Sequence, residues 1–162
     1  MGQVHAVRIR RARAFEAAAL SSLAREAKQH WGYGSEDMER WHEQLVVNPD
    51  DITTNPTFVA EVDDVVVGFY LLVPKSTCWE LDHLWVAPRV QRRGIGRALL
   101  AHAVDTAHRG GATSIIVDAD PNAEPFYIAC GAIRQGVVAA PIPTDPGRIR
   151  PQLLLHAVVD AA

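Results

Sequence analysis

The spacing of apolar and polar positions changes several times along the chain, and each change predicts an element. "QVHAVRIRRA", residues 3–12, sets Val4, Ala6 and Arg8 against His5, Val7 and Ile9. That two-residue alternation predicts a first strand. "AFEAAALSSLAREAKQH" then shifts to helical spacing, with Phe15, Ala18, Ala19 and Leu23 on one stripe, and "SEDMERWHEQLV" predicts a second helix with Ser35 as N-cap and acids in its first turn. "TFVAEV" and "VVVGFYLLV" are β-branched and aromatic runs separated by Asp63 and Asp64, which predicts a hairpin. "TCWELDHLWV" predicts a strand stopped by Pro88. Leu99, Leu100, Ala103, Val104 and Ala107 make an apolar helical stripe that ends near Gly110 and Gly111. "TSIIVDA" predicts a buried strand, "NAEPFYIAC" a short helix, and "AIRQGVVAA" and "QLLLHAVV" two closing strands. The order β-α-α-β-β-β-α-β-α-β-β is that of a mixed α/β protein.

Composition narrows the function. With 162 residues and 48% apolar content, the expectation is one compact domain spanning 1–162. A net charge of -3 and a pI near 6.1 argue against a general nucleic-acid binder. No stretch is apolar and long enough for a secretion signal or a membrane span, so a soluble cytoplasmic protein is expected. Cys78 and Cys130 have no second pair and read as core thiols rather than a disulfide framework. The seven histidines show no HExxH or comparable spacing, so no metal is expected.

The stretch "QRRGIGRALL", residues 91–100, carries the chemistry. It places two glycines before a helix, an arrangement that lets the backbone approach an anion and offers helix-entry amides to it. A dinucleotide fingerprint would need a third glycine where Leu99 stands, and a P-loop would need Lys and Ser or Thr where Arg97 and Ala98 stand. Both fail. "QRRGIG" instead matches Gln/Arg-x-x-Gly-x-Gly/Ala and resembles the GNAT superfamily of acyl-CoA-dependent N-acetyltransferases. "LDHLWVAPRVQRRGIGRALLAHAV" is similar to that family's strand, loop and helix that carry coenzyme A. "DADPNAEPFYIACGAI" is similar to its second segment, with an Asn ahead of a short helix bearing Phe-Tyr and ending in Gly. The element order agrees, and the resemblance covers nearly the whole chain.

The resemblance implies a mostly antiparallel sheet with splayed middle strands flanked by helices, and acetyl-CoA as cosubstrate without a metal. It implies that the pyrophosphate of coenzyme A lies on the amides of Gln91, Arg92, Arg93, Gly94, Ile95, Gly96 and Arg97, and that pantetheine runs along Leu84, Trp85 and Val86, whose backbone can also polarise the acetyl carbonyl. Glu80 is the implied general base, acting through water; salt-bridging at a strand end is its alternative role. Asp82 shares the face of Glu80 by strand alternation, whereas His83 points the other way unless the strand is bulged, and serves either as a base or as a polar group lining a pocket. Asn122 can contact the cofactor or cap the short helix. Phe126 and Cys130 are expected to face the core, and Tyr127 is the implied general acid toward the departing thiolate.

The acceptor is less legible. Trp31, Tyr33 and Trp41 surround the junction of the first two helices, with Glu36, Asp37, Glu39 and Glu43 nearby, a rim suited to a cationic amine or else core aromatics beside a solvated acidic face. Arg148 or Arg150, pointing inward, would favour an acceptor with a carboxylate. The expectation is an enzyme that acetylates a primary amine of a small molecule by direct attack in a ternary complex, with no nucleic-acid or membrane partner and room for a homodimer. The alternatives are a non-catalytic acyl-CoA sensor and acetylation of a protein N-terminus or lysine.

Overall fold

The computed structural model describes residues 6–158. Gln3, Val4 and His5 of the expected first strand and Val159 of the expected last one lie outside them. Seven strands form one sheet in the order β1-β2-β3-β4-β5-β7-β6. They are β1 (Arg8–Arg11), β2 (Thr57–Val62), β3 (Val65–Val73), β4 (Cys78–Val86), β5 (Ser114–Asp118), β6 (Ile133–Ala139) and β7 (Ile149–His156). The helices are α1 (Ala17–Gln29), α2 (Ser35–Arg40), α3 (His42–Leu45), α4 (Pro49–Thr54), α5 (Ile95–Arg109) and α6 (Glu124–Ala129), with 3-10 turns at Ala14–Glu16 and Pro88–Val90. The β2–β3 hairpin closes on Asp63 and Asp64, both at positive φ (51° and 62°). That left-handed pair is the turn that matches strand twist, and Asp tolerates it better than most residues.

The region between β1 and β2 departs from the expected two helices. It forms a 3-10 turn and four helices. Gly34 rather than Ser35 occupies the N-cap of α2. Pro49 opens α4, and the Asn48 backbone N–H donates to Asp51 Oδ2 at 2.9 Å, the reciprocal half of a capping box. β7 also begins earlier than expected, at Ile149. Pro151 sits inside it with no N–H to give, but its carbonyl accepts from Ala119 N–H at 2.9 Å.

The chain forms two compact units, one from residues up to Leu71 with His83–Ala101, the other from Leu72–Asp82 with residues from His102 on. In the first, Leu20, Ala24, Ile52, Val59, Phe69, Tyr70 and Leu99 are buried. The Arg10 guanidinium is shared between the carboxylates of Glu16 and Glu61, which ties β1 to the 3-10 turn and to β2. This guanidinium lowers the Glu16 pKa against the opposing effect of burial. Gly68 on β3 marks a close approach, because a Cβ there would stand 2.9 Å from both the Trp85 carbonyl oxygen and Leu99 Cδ1. Gly68→Ala should therefore destabilise the protein by about 1–3 kcal/mol, since a backbone carbonyl cannot swing aside. A denaturant midpoint equal to wild type would show that the strand relaxes.

In the second unit, Leu81, Ile115, Val117, Leu153 and Leu155 are buried, with Ala103 and Ala107 from the apolar stripe of α5. Trp79 lies against Gly110, where any Cβ would fall 2.2 Å from the indole. β5 pairs antiparallel with β7, and β7 with β6. β4 and β5 are parallel, paired only at Cys78↔Ser114, Trp79↔Ile115 and Glu80↔Ile116. β4 runs on for six residues past the last of these pairs.

Candidate active site

The 3-10 turn Pro88–Val90 follows β4 after the single residue Ala87, so the "QRRGIG" loop is held between two regular elements. Its backbone is shaped by two left-handed residues, Arg92 at φ 65° and Gly94 at φ 80°. Glycine adopts that conformation without the strain a Cβ brings, and a Cβ at Gly94 would meet nothing within 4 Å. The requirement at Gly94 is therefore conformational rather than steric. The first turn of α5 is set by Ala98 N–H donating to the Gly94 carbonyl at 3.0 Å. The amides of Ile95, Gly96 and Arg97 precede that bond and have no acceptor within the helix. Ile95 anchors the entry by burying its side chain, while Gln91, Arg92, Arg93 and Arg97 are exposed. Amides with positive partial charge, a glycine joint and three exposed guanidinium groups fit a pyrophosphate.

On β4, burial alternates. Trp79, Leu81 and His83 are buried, whereas Glu80 is half-buried and Asp82 exposed, as strand periodicity requires. Leu84, Trp85 and Val86 are all half-buried. His83 lies 5.7 Å from the Phe69 ring at 31°, and its Nδ1 accepts from Trp85 Nε1 at 3.1 Å. Trp85 in turn tilts against Trp31 at 5.9 Å. Glu80 Oε2 is 2.6 Å from Lys75 Nζ, so the salt-bridged arrangement is present, and the carboxylate raises the lysine pKa.

Tyr33 stands edge-on to the buried Trp41 at 4.7 Å. The Lys28 ammonium lies 4.2 Å from the Trp41 ring centroid and 5.4 Å from that of Tyr33, so this aromatic pair holds one of the chain's own cations. Asp37 is buried with Arg40 as its ion-pair partner, and Glu36, Glu39 and Glu43 are exposed.

Tyr127 is buried and Phe126 only half-buried, the reverse of the expected orientation, and Cys78 and Cys130 are both half-buried. The α6 helix has six residues and packs Tyr127 inward, with Phe126 edge-on to it at 5.1 Å. Burial pushes the phenol pKa well above its ordinary value. Asn122 does not cap this helix, because the N-cap is Ala123 with no side-chain bond. Both Asn122 N–H and Nδ2 donate to Asp120 Oδ1 at 2.9 Å. The other carboxylate oxygen of Asp120 receives Arg148 Nη2 at 3.2 Å, and Arg148 Nη1 donates to the Ala140 carbonyl. Arg148 does point inward, but onto Asp120. Asp120 is thus the organising residue of this segment, which sequence reasoning missed; its signal was the Asp-Pro-Asn turn before a short helix. Arg150 Nη2 donates to the Asp118 carbonyl.

Asp120→Ala should cost about 3–5 kcal/mol, since it strands a buried guanidinium. Urea unfolding would check it, and a loss under about 1 kcal/mol would mean that water replaces the carboxylate.

Residues 17–132 match the model of the acetyltransferase (GNAT) family. The chain belongs to that family. No curated protein matches it by sequence. Among solved structures, PaiA N-acetyltransferase from Thermoplasma acidophilum, in complex with coenzyme A, is 19% identical with a TM-score of 0.77, over 93% of this chain and 99% of that one. YncA from Salmonella typhimurium, solved with acetyl-CoA, is 21% identical with a TM-score of 0.69, over 97% of each chain. The ribosomal-protein-S18-alanine N-acetyltransferase of Escherichia coli is 16% identical with a TM-score of 0.71, over 96% and 97%. The GNAT chain is an acetyl-CoA-dependent acetyltransferase acting on an amine acceptor. Among the described residues no group of three His, Cys, Asp or Glu could hold a metal ion, and no helix is long and apolar enough to cross a membrane.

Proposed function

We propose that this acetyltransferase transfers the acetyl group to a primary amine of a small molecule by direct attack in a ternary complex, as a single domain working in the cytoplasm. The observation that carries the cofactor half of the reading is the entry to α5, where Gly94 turns the chain and the amides of Ile95, Gly96 and Arg97 precede the first helical bond. In this reading, those amides and Gln91, Arg92 and Arg93 hold the pyrophosphate of coenzyme A. Asn122 contributes a further polar contact to the cofactor. The backbone of Leu84, Trp85 and Val86 pairs with pantetheine and polarises the acetyl carbonyl.

The residues answer two proton problems. A primary amine with pKa ~10.4 must lose a proton before it can attack, at a cost of about 4–5 kcal/mol at pH 7. Glu80 takes that proton through water, and Lys75 keeps the carboxylate in one place. Tyr127 returns a proton to the departing thiolate. The acceptor meets Trp31 and Tyr33, whose half-buried rings suit the stem of an amine. Arg148 takes no part in this acceptor site, because Asp120 and the Ala140 carbonyl already engage it. A homodimer belongs to the same proposal, supported by the outer edge of β6, where Ile133, Val137 and Val138 are exposed. A single monomeric species in analytical ultracentrifugation would remove that element.

A second reading, acetylation of a protein N-terminus, draws on the likeness to the S18-alanine enzyme. Incubation with acetyl-CoA and two panels, small primary amines and N-terminal peptides, should release free thiol with the small amines. Release with peptides alone would favour the second reading, and release with neither would favour an acyl-CoA sensor.

A further inference from the structure

The pair His83–Trp85 carries an inference that deepens, and rests on, the proposed acetyl transfer. The two residues are two apart on β4 and share a face, so one side chain can reach the other along the strand. An indole nitrogen can only donate a hydrogen bond. The 3.1 Å contact from Trp85 Nε1 to His83 Nδ1 therefore requires a lone pair on Nδ1. A neutral imidazole with its lone pair on Nδ1 carries its proton on Nε2. The surroundings hold this arrangement. Phe69 lies against the imidazole, Trp31 braces the indole, and His83 is only 6% exposed. An imidazolium would point a second N–H at the indole N–H and lose the bond.

We propose that Trp85 is a positioning residue that locks His83 as the neutral Nε2–H tautomer, and that His83 therefore serves as a hydrogen-bond donor and not as the base that deprotonates the acceptor. With Nδ1 occupied by the indole and Nε2 already protonated, the ring has no lone pair for an ammonium proton. Deprotonation then falls to the opposite face of β4, which carries Glu80 and Asp82.

Long-range 1H–15N correlation spectra of the intact protein at pH 8, where an ordinary imidazole is neutral, report the tautomer of each histidine ring. The His83 signals are assigned by their loss in His83→Gln and by proximity to the Trp85 indole proton. The expected result is a pure Nε2–H pattern for His83. Trp85→Phe, which keeps a ring but removes the N–H, should convert it to a mixture with substantial Nδ1–H form, while His102 and His108 signals stay in place and report an intact fold. A Nδ1–H pattern in the wild-type protein overturns the proposal even if the variant fails to fold, and so does an unchanged pattern in a folded Trp85→Phe. The measurement uses neither acetyl-CoA nor an amine, so failure to release thiol in the amine panels would sink the functional reading and leave this result separately readable.

Discussion

Tyr127→Phe should lower kcat by ~10²–10⁴, the usual range for one general acid, while acetyl-CoA affinity stays within a few-fold of wild type. The reason lies in the proton the departing thiolate needs. A phenol of pKa ~10 giving its proton to a thiolate whose conjugate acid has pKa near 8.5 is uphill by about 2 kcal/mol in water. Burial raises the proton affinity of Tyr127 further, so the hydroxyl remains protonated at neutral pH, and in the proposed role it would deliver its proton only to a thiolate desolvated to a comparable degree. Phenylalanine preserves the ring that packs against Phe126 and removes only the hydroxyl. Single-turnover kinetics would read the chemical step directly; a wild-type rate there would assign the proton to water.

The same burial has a consequence for stability. Because the folded-state pKa of Tyr127 lies above its unfolded value, the folded chain holds that proton more tightly. The associated stability is complete below about pH 10 and declines as pH rises beyond it. Tyr127→Phe should flatten that decline.

Gly96→Asp should weaken coenzyme A by roughly a hundred-fold and leave dephosphorylated pantetheine nearly unaffected. A carboxylate about 5 Å from one phosphate charge, at an effective dielectric near 20, costs about 3 kcal/mol. Pantetheine without its phosphates escapes that repulsion. Isothermal titration with both ligands makes the comparison, and equal losses would indicate a misfolded loop in place of an electrostatic effect.

How much of this was legible before the structure depends on the range of the forces that set each feature. The β2–β3 hairpin, β4 and α5 follow from local signals: alternating β-branched residues around Asp63 and Asp64, a strand halted near Pro88, and an apolar stripe ending at Gly110. The glycine turn into α5 was legible for the same reason, since glycine placement before a helix is a local pattern. The region between β1 and β2 was not, because α2, α3 and α4 each run for fewer than two turns and leave an apolar stripe no room to recur. The face of α6 was misread for a related reason. Six residues leave the choice between Phe126 and Tyr127 to tertiary packing, and packing placed Tyr127 inside. The partners of Arg148 and Lys28 were also beyond local reading. Asp120 is 28 residues from Arg148, and nothing in the spacing announces that the two meet.

The central claim, that the joint before α5 is built for coenzyme A, is tested most directly by thermal unfolding with ligands at matched concentration. Acetyl-CoA and coenzyme A should each raise the melting temperature, with about 2.7 kcal/mol of stabilisation at a hundred times the dissociation constant, while NAD and ATP should leave it unchanged. Stabilisation by NAD or ATP with none from coenzyme A would contradict the account.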